Sequence, residues 1–261
     1  MPTISRRSLI CGVAATAFAP SIACASAPAA RAVPTCCCCG IGAARLAAHS
    51  AGGDFTSEPG EIAISPSSGD IGTDHFLGLA LMRIAKKFEV TPGFGFYDDG
   101  EAPNAFATDK TLAGNGPGTV LMGQNLFRMV MTSTSDSGLA LITMCAHEFG
   151  HIHQYWSTYK DTLTALDRTA KPMELHADFL AGFYLADRKT EHPEFKLQTV
   201  GALFEQIGDT NFTSPRHHGT SAERVAAITA GFEFGKAPGR RIDAAAEAGV
   251  RYIERNVYGG R

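Results

Sequence analysis

Ala146-His147-Glu148-Phe149-Gly150-His151 is the stretch on which the reading of this chain turns. On an α-helix its two histidines, four positions apart, point about 40° from one another at ~100° per residue, so both imidazoles can grip one cation. Glu148 then stands about a quarter-turn to the side, able to reach a water on that cation without ligating it. The preceding run Leu139-Ala140-Leu141-Ile142-Thr143-Met144-Cys145-Ala146 is almost wholly apolar, which predicts that the helix is buried. Three ionisable groups inside a buried helix are costly unless something pairs them, and a bound metal is such a partner. The pattern is that of hydrolytic zinc chemistry, with Glu148 as general base. Cys145, two residues before His147, falls on the other side of the helix and reads as a packed core thiol.

A third ligand is needed to close the site. Pro172 opens a second helix, Met173 to Ala186, on which Glu174 and Asp178 lie four apart on one face among apolar residues. Glu174 is expected to coordinate the ion. Asp178 is expected to accept the free ring N–H of His147 or His151 and so fix its tautomer. His176 and Asp178 are the fallback ligands. Gln154 and Ser157 stand where the metzincin pattern would need a glycine and, six residues after His151, a third histidine, which argues against that class.

Working outward, 261 residues with 44% apolar composition suffice for one sizeable core. A formal charge of -3 leaves no electrostatic footprint for nucleic acid. Residues 1–27 read as an export signal: Ser5-Arg6-Arg7-Ser8 precedes a short apolar stretch and a small-residue region, a twin-arginine-like pattern. Ser21-Ile22-Ala23-Cys24 is a poorer match to a lipidation box. The mature chain is therefore expected in the periplasm or outside the cell. Residues 28–60 are rich in Ala, Pro, Gly and Cys and read as a linker. Its Cys36 to Cys39 run lacks the spacing of a structural zinc site. No later stretch approaches ~20 continuous apolar residues, so no membrane span is expected.

The folded domain is expected over 61–261. Glu61–Ser65 alternates like a short strand, and Asp74 is the expected cap of a helix running to Phe88. Gly93–Tyr97, Asn104–Thr108 and Thr119–Gly123 read as strands of a small twisted sheet. Asp136 or Ser137 is expected to cap the motif helix, which should end near Ser157. Glu194–Ile207 is amphipathic, and Thr220-Ser221-Ala222-Glu223 is a capping-box pattern. Ahead of that box, a loop histidine, His217 or His218, is placed to hydrogen-bond the oxyanion formed when water adds to a carbonyl. Ala237 to Arg261 reads as a surface helix and tail. The fold class is α+β, the sheet packed on the motif helix and a second ligand-bearing helix.

Four segments, in this order, resemble the gluzincin metallopeptidases, and within them the HtpX-like and neutral zinc metallopeptidase families. They are Asn104-Ala105-Phe106-Ala107 with Gly118-Thr119-Val120-Leu121, then HEFGH, then Glu174-Leu175-His176-Ala177-Asp178, then His218 to Arg224. The likeness spans roughly residues 90 to 230. It implies a zincin-like fold, Zn2+ held by His147, His151 and Glu174, and His218 and Arg224 near the site. It also implies that the edge strand Asn104, Ala105, Phe106 and Ala107 binds an extended peptide or protein substrate. The expected activity is that of a zinc metalloendopeptidase. The alternatives are a non-catalytic peptide-binding module on the same fold and a zinc amidase acting on cell-wall peptides.

Overall fold

The first helix, α1 (Ile71–Phe88), begins one turn before the expected cap. Asp70, not Asp74, is its N-cap, accepting the Thr73 N–H at 2.7 Å. Asp74 lies inside the first turn and ties down the incoming chain through Ser67 Oγ and the Ser68 N–H. Two carboxylates four residues apart compete for this role, and the one before the helix matches the geometry of the free N–H groups. The computed structural model describes residues 63–101, 103–133, 136–197, 200 and 217–259. The expected export signal, the linker with its four cysteines and most of the helix expected over Glu194–Ile207 lie outside them.

Strands β1 (Gly93–Tyr97), β2 (Ala105–Thr108) and β3 (Thr119–Gly123) form one mixed sheet in the order β1-β3-β2. The central β3 runs parallel to β1 and antiparallel to β2. Of the strand expected at Glu61–Ser65, the described part makes only an isolated bridge between Ser65 and Phe96. Buried Asp99 follows β1, and its carboxylate accepts the backbone N–H groups of Asn104, Asn125 and Leu126. It thereby ties the start of β2 to the first turn of α2 (Gln124–Ser133), a helix the sequence reading did not anticipate.

The motif helix α3 (Ser137–Tyr155) is capped by Asp136, which accepts the Leu139 N–H at 3.0 Å, and its residues Leu139 to Gln154 are all buried. After the short α4 (Tyr159–Leu166), also unanticipated, comes α5 (Lys171–Glu191), with Pro172 in its first turn where no intrahelical N–H is lost. Helix α6 (Ser221–Gly235) opens on the capping box of Thr220 and Glu223, as the sequence indicated. Seven helices among the described residues, with α7 (Ile242–Ile253), and one small sheet make the chain α+β.

Small residues set the distances between the ligand-bearing helices. A methyl group on Gly150 would stand 3.2 Å from Ala177 Cα, so α3 and α5 touch almost backbone to backbone at the motif. Between α5 and α6 the approach is closer still: a methyl on Gly182 would meet the Ile228 carbonyl oxygen at 2.0 Å, and one on Gly231 the Phe179 carbonyl oxygen at 1.8 Å. The expectation of a surface helix near the C-terminus is corrected. Ile242, Ala245, Ala246, Gly249, Val250 and Ile253 of α7 are buried, because its small residues let the helix settle against α5.

Candidate metal centre

His147 and His151 project from one face of α3, as their spacing requires, and Glu174 meets them from the first turn of α5. One donor atom from each lies within 4.8 Å of the others, and all three residues are buried. His147 Nε2 is 3.4 Å from Glu174 Oε2, His151 Nε2 is 3.3 Å from Glu174 Oε1, and the two ring nitrogens are 3.2 Å apart.

What holds the outer nitrogens decides what the inner ones can do. His147 Nδ1 is 2.8 Å from Asp178 Oδ1, and His151 Nδ1 is 2.8 Å from Gln154 Oε1. Both neighbours are acceptors, so both Nδ1 atoms carry hydrogen and both Nε2 atoms of the neutral rings turn lone pairs on the same point. Two lone pairs and a carboxylate converging in a buried space repel one another unless a positive charge sits among them. A proton or a metal cation supplies it, and the donor set of two imidazoles and a carboxylate fits a divalent transition ion.

The electrostatics agree. Burial alone would push the His147 imidazole down, yet the Asp178 carboxylate beside it, with Glu174, raises it to about 10. Burial would likewise push Glu174 up, but His218, His151 and His147 hold it well below the usual carboxylate range. Asp178 is held down by Arg224, whose Nε and Nη2 donate to its two oxygens at 2.8 Å each. Burial acts unopposed enough on Glu148 to raise it, despite His147 and His151, and its Oε2 has no hydrogen-bond partner among the described residues.

No family model, curated protein or solved structure matches the chain.

Asp178 serves His147 and not His151. His218 Nδ1 is 3.4 Å from Glu174 Oε2 with the side chain 29% exposed, so it borders the site, while His217 is buried. The fallback ligand His176 is not at the metal point: its Nδ1 faces Gln154 Nε2 and its Nε2 faces the Ala246 carbonyl, each at 2.9 Å. Cys145 is a fully buried thiol, pushed up by burial.

On the edge strand, the Gly123 N–H donates to the Asn104 carbonyl, and alternation from that pair turns the main-chain groups of Ala105 and Ala107 away from β3. Asn104 is already engaged through both its N–H and its carbonyl, and Phe106 is buried against Tyr97 and Leu121. Tyr155 joins this edge to the site: its hydroxyl is 3.5 Å from the Ala107 carbonyl and its ring stacks on His151. Gln154 and Tyr155 went unnoticed as site residues in the sequence. Their signal was position, since i+3 and i+4 from His151 fall on the ligand face of the helix.

Proposed function

We propose that this chain is a zinc metallopeptidase of zincin-like fold that hydrolyses peptide bonds with Glu148 as general base. The observation that carries the reading is the pair of Nε2 atoms 3.2 Å apart, backed by the Glu174 carboxylate and beside the buried Glu148, whose Oε2 has no hydrogen-bond partner among the described residues. Zinc held by His147, His151 and Glu174 would supply a Lewis acid that makes water a usable nucleophile near neutral pH and polarises the scissile carbonyl.

Glu148 accepts the proton of the attacking water and passes it to the leaving amine, a task that suits a carboxyl raised by burial. His218, at the open side of Glu174, donates to the oxyanion that develops on the carbonyl oxygen. Asp178, backed by Arg224, holds the His147 ring. An extended substrate strand pairs with the outward main-chain groups of Ala105 and Ala107, which lie beside the site through Tyr155. The twin-arginine-like start supports export of the enzyme to the periplasm or beyond. No described helix is long and apolar enough to cross a membrane.

The test is zinc content and casein hydrolysis measured on wild type, Glu148→Gln and Glu174→Ala. Glu148→Gln should keep about one zinc per chain and lose hydrolysis by about 10²- to 10⁴-fold. Glu174→Ala should lose the metal. Wild-type protein that carries stoichiometric zinc yet cleaves neither casein nor cell-wall fragments would replace the enzyme with a peptide-binding module. Cleavage of wall fragments alone would make it the amidase.

A further inference from the structure

His151 is held by a run of uncharged groups in which each polar atom has one permitted role. Gln154 Nε2 stands 2.9 Å from the Met173 carbonyl oxygen, which only accepts, so the amide nitrogen is fixed at that position. Oε1 is therefore the atom facing His151 Nδ1 at 2.8 Å, and Nδ1 must be the donor. The other amide hydrogen of Gln154 points to His176 Nδ1 at 2.9 Å, which must accept. That leaves the proton of His176 on Nε2, donated to the Ala246 carbonyl oxygen at 2.9 Å. Two backbone carbonyls, on α5 and on α7, thus dictate the direction of every hydrogen bond between them.

We propose that Gln154 and His176 are positioning residues that lock His151 in its Nδ1–H tautomer, presenting Nε2 to the metal from an anchor on the α7 backbone. This rests on the metal site of the preceding section. A free imidazole exchanges between two tautomers, and only one of them is a ligand here. Both Gln154 and His176 are 0% exposed, and buried polar side chains that served packing alone would be replaceable by apolar ones of similar volume. The deep seat of α7 is what brings the Ala246 carbonyl to the relay: Gly249 on that helix leaves room for the His176 ring, from which an added methyl would be 2.9 Å.

The experiment compares Gln154→Leu and Gln154→Glu in the full chain. Zinc affinity is read by chelator competition and ligand geometry from the visible spectrum of the cobalt-loaded protein. Removing the acceptor with leucine should weaken zinc binding by about 10- to 100-fold and shift the cobalt bands. Glutamate keeps an acceptor for His151 Nδ1 but takes away the hydrogens given to the Met173 carbonyl and His176 Nδ1, so it should recover only part of that loss. A folded leucine variant with wild-type affinity and an unchanged spectrum overturns the proposal.

Long-range ¹H–¹⁵N spectra of histidine-labelled wild type give a second reading that needs no substitution. His151 should carry its proton on Nδ1 and His176 on Nε2, and either ring in the opposite tautomer overturns the relay. Zinc-loaded wild type that shows these tautomers but cleaves no peptide would remove the peptidase reading and leave the relay standing. Opposite tautomers would remove the relay whatever the chain cleaves.

Discussion

The two histidines of the motif sit one turn apart on the same helix, yet they are held by opposite means. Behind His147 lies a charged arm, Asp178 gripped at both oxygens by Arg224. Behind His151 lies a neutral arm, Gln154 and His176 ending on a backbone carbonyl. The difference is one of charge balance. A second carboxylate behind His151 would add another buried negative charge to a space that already holds Glu174, Asp178 and Glu148, where Arg224 offsets Asp178. With Arg224 cancelling Asp178, Glu174 and an ionised Glu148 match the two charges of a divalent ion. The charged arm strengthens its ligand, and the neutral arm orients its ligand without disturbing that sum.

The largest expected effect comes from breaking the charged arm. Asp178→Ala takes from Arg224, 2% exposed, the carboxylate that accepts two of its hydrogen bonds, and should cost about 3–5 kcal/mol of stability by urea unfolding. Removing both residues should restore part of the loss. A cost below ~1 kcal/mol would reduce this pair to the worth of a surface salt bridge and end the contrast between the arms.

The neutral arm should show itself in pH dependence. Burial pushes His176 down to about 4 from an ordinary 6.5, so the unfolded chain takes up a proton there that the folded chain refuses. Its contribution is present above about 6.5 and is lost as the pH falls to about 4, amounting to about 3 kcal/mol at 1.36 kcal/mol per pKa unit. Unfolding of metal-free protein across that range should be less steep in pH for His176→Leu than for wild type. Identical slopes would mean that the ring is not held neutral.

The smallest effect sharpens what the two arms share, the close crossing of α3 and α5. Gly150→Ala gains about 1 kcal/mol of helix propensity, and its methyl, 3.2 Å from Ala177 Cα, costs a similar amount in displacement. Stability should hardly change, while zinc affinity falls because Glu174 moves with α5. Unchanged affinity would show that the site tolerates a looser crossing.

Much of this site was legible because it is written in helical periods. His147, His151, Glu174 and Asp178 are pairs four apart on helices with clear start signals, and each pair was bound to share a face. Which histidine Asp178 would serve was not legible, since that depends on the angle at which α5 crosses α3. Gln154 was read only as the absence of a glycine, although its i+3 position was a usable sign. His176 looked like a spare ligand because its true partners, Gln154 and Ala246, come from two other helices. The depth of α7 was missed for a similar reason: Ala245, Ala246 and Gly249 are weakly hydrophobic residues, and they are buried because they are small, Gly249 lying against the His176 and Phe179 side chains of α5. Helices α2 and α4 are short, and the first turn of α2 is held by Asp99, 26 residues before Asn125 in sequence.

The linear order of residues by itself determined which side chains converge as donors and which carboxylate lies next to them, because residues at fixed spacing on a helix share a face whatever their neighbours. Tertiary structure alone decided the charge and direction of what stands behind each donor. Those partners come from segments far apart in the chain, and only the packing of small residues brings them within hydrogen-bonding distance.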